Sequence, residues 1–134
     1  MALVFREIHA SSSPEALNEE WFILENTGPN PVTTKGIAML RSKGSGRGTI
    51  LGTLDPGFTL KPGERIRLVT GIPSKKAHGT PPAEEEGLKN YHLFLKGPVL
   101  QGPGTQLRLV LNQMEFCHAT FDPAAPGGIA PETK

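Results

Sequence analysis

Asn18-Glu19-Glu20-Trp21-Phe22-Ile23-Leu24-Glu25-Asn26-Thr27-Gly28 carries four bulky apolar residues in a row, with paired carboxylates before them and the turn-forming Asn-Thr-Gly-Pro sequence after them. The run is too short for a helix and fits a strand buried on both faces. Side chains alternate along a strand, so Trp21 and Ile23 face one way and Phe22 and Leu24 the other. A strand of this kind belongs in the middle of a sheet that is covered on both sides, as in a β-sandwich.

The rest of the chain agrees with that reading. Its 134 residues fit one domain able to bury a core of its own. Sixteen glycines and thirteen prolines are spread along it rather than gathered in one place, which implies many turns between short elements and argues for an all-β protein. Fourteen Lys plus Arg against thirteen Asp plus Glu leave a net charge of +1, so no global field draws the molecule to nucleic acid or an acidic membrane. The single Cys117 has no intramolecular disulfide partner. No apolar run is long enough to span a bilayer as a helix, and Met1 to Glu7 lacks the basic and apolar regions of a signal peptide. The expectation is a soluble, cytoplasmic chain with no membrane contact.

Working outward from the central strand, Leu3 to Ala10 reads as an opening strand, and Ser12 to Leu17 as one helical turn at most, with Pro14 near its start. Thr27-Gly28-Pro29-Asn30-Pro31 turns the chain, and Lys35 to Arg41 forms the next strand. Residues 42 to 48 make a Gly-rich basic loop before a short strand at Thr49 to Leu54. Asp55-Pro56-Gly57 and Lys61-Pro62-Gly63-Glu64 are turns, and Arg65 to Thr70 alternates basic with aliphatic residues as a half-buried strand does. Gly71 to Lys89 is a long stretch without strand pattern, the kind of loop that carries function, with one helical turn expected near Thr80 to Gly87. Strands follow at Tyr91 to Leu95, Gln106 to Leu111 and Glu115 to Phe121, the last two joined as a hairpin through Asn112-Gln113-Met114. Residues 1 to 121 thus form the domain, and 122 to 134, rich in Pro, Gly and Ala, read as a disordered tail.

About eight to nine short strands at turn-punctuated intervals suggest an immunoglobulin-like β-sandwich. Glu20-Trp21-Phe22-Ile23-Leu24-Glu25-Asn26 with Thr27-Gly28, followed by Phe58-Thr59-Leu60-Lys61-Pro62-Gly63-Glu64-Arg65-Ile66, resembles the lamin-tail domain. The resemblance runs from about Ile8 to Phe121, and its more specific part is the F-x-L-x-P-G-E turn. It implies an immunoglobulin-like sandwich that acts as a non-catalytic attachment module for proteins, and in some cases for DNA. The chain departs from the family pattern where the third strand has Ile37 to Leu40 in place of a tryptophan. The resemblance covers the sandwich and not the helical rod of the lamins, so it does not imply filament assembly.

The candidate chemistry is sparse. His9, His78, His92 and His118 with Cys117 show no metal-ligand spacing, so they read as surface histidines and a packed thiol, and no metal or cofactor is expected. Glu7, Glu19, Glu20 and Glu25 lack the periodicity of a calcium loop. Glu19 and Glu20 read as solvated at a strand entrance, and Glu25 as facing an edge or pairing with Arg41 or Arg67. With no catalytic residues to defend, the expectation is a module that binds a protein partner through an edge strand and through loop residues Arg47, Lys75, Lys76 and His78. The alternative is weak, salt-dependent DNA contact through Arg41, Lys43, Arg47, Lys75 and Lys76. Exposed sheet edges also make a homodimer an open expectation.

Overall fold

A computed structural model describes residues 3–11, 13, 15–43, 48–72, 81–95, 97–112 and 114–131. The described chain is an all-β sandwich of ten strands. In order these are β1 (Leu3–His9), β2 (Trp21–Asn26), β3 (Val32–Thr33), β4 (Ala38–Lys43), β5 (Thr49–Thr53), β6 (Thr59–Leu60), β7 (Arg65–Val69), β8 (Leu88–His92), β9 (Thr105–Leu111) and β10 (Met114–Thr120). One sheet has the order β1-β2-β7-β8, the other β10-β9-β4-β5, and β3 pairs with β6 in a two-stranded ribbon. All pairings are antiparallel except β7 with β8, which is parallel.

The central strand lies where its sequence places it, between β1 and β7. Phe22 and Leu24 are fully buried and meet Leu68 from the same sheet and Met39, Leu107 and Leu109 from the facing one. Burying side chains of this size stabilises by roughly 1.5–3 kcal/mol each, so the layer between the sheets supplies most of the drive to fold. Trp21 and Ile23 lie on the outer face, where Ile23 is nevertheless 4 % exposed. Two parallel neighbours cannot be joined by a tight turn, so β7 and β8 need a longer connection than a hairpin. Its return passes Pro82 and Ala83, whose carbonyls accept hydrogen bonds from Asn90 and Arg67.

Several local expectations differ from the structure. The strand expected at Tyr91 to Leu95 is β8 at Leu88–His92, three residues earlier, and β4 runs on through Ser42 and Lys43, residues expected in the basic loop. The helical turn before β2 is a 3-10 turn at Leu17–Glu19, later than expected, with Ser12 and Pro14 outside the described residues. The described part of the expected helical turn near residues 80 to 87 is not helical: 81–84 have no regular structure, and Glu85 bridges back to Leu88 around a turn at Glu86 and Gly87. The segment 122–131, read from the sequence as part of a loose tail, folds back in the structure. Asp122 N–H donates to Gly128 O, Ala130 N–H donates to Thr120 O, and Ile129 packs on the core beside Phe121.

Candidate functional site

A sandwich offers partners its outer strands, because each leaves one row of backbone donors and acceptors unpaired. Here the outer strands are β1, β8, β10 and β5. β1 carries Arg6 and Glu7 at a bulge, and the folded-back segment lies against it so closely that a Cβ on Gly128 would collide with the Ile8 carbonyl. β8 carries Lys89, and its Asn90 N–H is taken by the Glu84 carboxylate at 2.8 Å. β10 is bulged between Glu115 and Cys117 and carries Glu115 and His118, paired at 2.8 Å.

β5 differs from all three. Its sequence Thr49-Ile50-Leu51-Gly52-Thr53 has no charge and no proline, and among the described residues no strand pairs with its outer side, although Leu93 and Leu95 pack beside Leu51 and Gly52. It does share a register shift with β1 and β10, opposite Met39 and Leu40 of β4. Ile50 is 67 % exposed and pairs with Leu40, whose other neighbour across the sheet is Arg108, on the outer surface where Leu40, Ala38 and Val110 are half-buried. Charged and covered edges refuse an added strand, whereas this one is left able to accept it.

At the Thr53 end of β5 the surface falls into an open groove of about 450 Å³, lined by Thr53, Asp55, Asn90, Tyr91, His92 and Phe94 among others. Tyr91 is fixed there: its hydroxyl accepts from Gly57 N–H at 3.1 Å, and its ring meets Phe58 edge-on at 4.9 Å. Phe94 takes a left-handed backbone, φ 57°, and leaves its side chain 63 % exposed. The flanking bonds from Leu93 N–H to Val69 O and from Leu95 N–H to Thr70 O, at 2.8 and 3.0 Å, hold it in that conformation.

The charged side chains behave less simply than their positions in the sequence imply. Glu20, expected in solvent, is 1 % exposed. Its carboxylate accepts from the Thr70 hydroxyl at 2.7 Å, Val99 N–H at 2.7 Å and Leu100 N–H at 3.0 Å, tying β2, the end of β7 and the loop before β9 together. A buried carboxylate with this many donors is a structural fastener. Glu25 pairs with Arg6 at 3.0 Å, not with Arg41 or Arg67. Arg67 is 6 % exposed; it donates to Ala83 O and Asn90 Oδ1 and lies 4.8 Å from the Trp21 ring centre. His9, from the strand on the other side of β2, stacks parallel to the same ring at 4.5 Å. Trp21 is thereby held by a cation and an imidazole, contacts that fix the ring and anchor the crossover.

Among the candidate binding residues, Arg47, Lys75, Lys76 and His78 lie outside the described residues. Arg41 is tied to the loop before β9, its Nη1 donating to Pro98 O and Val99 O at 3.2 and 3.0 Å. Lys43 stands exposed at the end of β4. Among the described residues the structure brings no three His, Cys, Asp or Glu side chains to a common point. Burial pushes the Cys117 thiol up to about 12, helped by the Glu115 carboxylate, which is the reverse of what a nucleophilic cysteine requires. No helix among the described residues is long and apolar enough to cross a membrane. No protein-family model matches the chain, and no curated protein is significantly similar to it.

Neither β5 nor its groove stands out in the sequence as a site. Residues 49 to 53 form a plain short strand there, and only the pairing order shows that one side of it is left open.

Proposed function

We propose that the protein is a non-catalytic interaction module, a lamin-tail-like, immunoglobulin-like sandwich that takes an extended segment of a partner protein at the free edge of β5. The observation that carries this reading is the contrast among outer strands. Three are charged, capped or covered, whereas β5 carries no charge and no pairing strand on its outer side among the described residues, with Ile50 exposed on it. Main-chain bonds along the edge supply affinity, and alternate side chains of the added strand reach the apolar surface around Leu40 and Ile50. The F-x-L-x-P-G-E turn supports the family part of the reading. Gly63 has φ 84°, Glu64 Oε1 accepts from Lys61 N–H, and Asn26 fastens the turn through its side chain to Leu60 O.

The test uses extended peptides enriched from a random displayed library on the full chain, with affinity measured by fluorescence anisotropy for the wild type and for Ile50→Lys. A lysine on an edge strand opposes strand addition, so binding is expected to weaken at least tenfold while the circular dichroism of the fold is unchanged. Equal affinities for the two proteins would end the edge-strand reading.

A further inference from the structure

The groove at the end of β5 indicates what the added segment carries. Thr53 belongs both to the strand and to the groove wall, so a segment paired along β5 runs its end directly past Asp55 and Phe94. Asp55 is exposed and has no ion-pair partner among the described residues. Phe94 combines two unfavourable features in the free protein, a left-handed backbone at a bulky residue and an aromatic ring held out in water. Hydrogen bonds on both sides of Phe94 maintain this arrangement, so the ring is presented rather than loose.

An anionic occupant would be repelled by Asp55. A purely apolar one would cover that carboxylate without neutralising it, which is costly. A long cationic side chain meets both demands: its methylene stem lies along the Phe94 ring and its charged head reaches Asp55. We infer that the segment received by β5 is a basic peptide, with a lysine or arginine seated between Phe94 and Asp55 in the groove beyond Thr53. This rests on the edge-strand reading, since it is the added strand that delivers the side chain to the groove.

The probe is the best peptide from the displayed library, made as a synthetic peptide in three forms: unmodified, with its groove-facing lysine or arginine replaced by norleucine, and with alternate backbone nitrogens methylated in either phase. The library is expected to enrich a basic residue flanking an alternating apolar run. Norleucine is expected to weaken binding at least tenfold to the wild type and less than threefold to Asp55→Asn, and Phe94→Ala is expected to weaken the unmodified peptide about tenfold. One phase of N-methylation is expected to abolish binding. A norleucine peptide that binds the wild type within twofold overturns the basic-residue inference, while sensitivity to N-methylation keeps the edge reading. Indifference to N-methylation in both phases, or a library that yields no binder, overturns the edge reading and the inference with it.

Discussion

Replacing Glu20 by alanine removes one acceptor group and strands three donors at once. Val99 is 1 % exposed and Thr70 is fully buried, so water cannot substitute for the carboxylate at either. Leu100 is half-buried, and its N–H recovers part of its loss from solvent. A buried donor left unpaired costs about 1–3 kcal/mol, which gives roughly 2–6 kcal/mol for the two buried ones. Burying a carboxylate is itself expensive, and removing it returns part of that cost, so the net loss is expected near 3 kcal/mol. Glu20→Gln keeps an oxygen for Thr70 and Val99 but sets an amide N–H against Leu100 N–H, and is expected to cost about 1–2 kcal/mol. Urea unfolding followed by Trp21 fluorescence reads both values, with the denaturant slope unchanged if the native state stays compact. An alanine variant within about 1 kcal/mol of the wild type would refute the role given to Glu20, as would a glutamine variant that loses as much as alanine.

Three further outcomes are expected. Asn26 is fully buried, donates to Leu60 O and Asn30 O and accepts from Gly28 N–H, so Asn26→Ala is expected to cost about 2–4 kcal/mol; a loss below about 1 kcal/mol in urea unfolding would contradict this. Cys117, raised from 9.0 to about 12, stays protonated in the fold at pH values where the unfolded chain ionises. The unfolded state then binds fewer protons, so this group's contribution is full below about pH 9 and declines as the pH rises toward 12. Iodoacetamide at pH 8.5 should label the folded protein far more slowly than the urea-unfolded chain, and equal rates would exclude the buried thiol. Gly128→Val, at φ 75° and against the Ile8 carbonyl, should lift the folded-back segment off β1 and lower the melting temperature by several degrees; an unchanged melting temperature would place that segment away from the strand.

Much of this fold is legible in the sequence, and the reasons are local. Trp21 to Leu24 announces a two-sided strand, because no other element buries four large residues in succession at that length. The β9–β10 hairpin is legible from Asn112, which takes φ 51° as asparagine readily does. The ribbon of β3 and β6 is not legible, since two residues each carry no periodicity. The parallel pairing of β7 with β8 is not legible either, because it is set by a crossover with no pattern of its own. That crossover also explains Arg67. Alternation assigns it correctly to the face away from Ile66 and Leu68, but what covers that face is distant in sequence. Glu20 reads as solvated because carboxylates usually are, and its donors come from residues fifty and about eighty positions away. The unpaired edge of β5 follows from strand order, a property of the assembled sheets rather than of residues 49 to 53.

The most direct test of the β5 edge is amide hydrogen exchange, residue by residue, on the protein with and without a saturating selected peptide. Strand addition is expected to slow exchange at alternate amides from Thr49 to Thr53, with β1, β8 and β10 unchanged. Protection confined to any of those three strands, or no change along β5, would contradict the proposal that β5 is where this sandwich receives its partner.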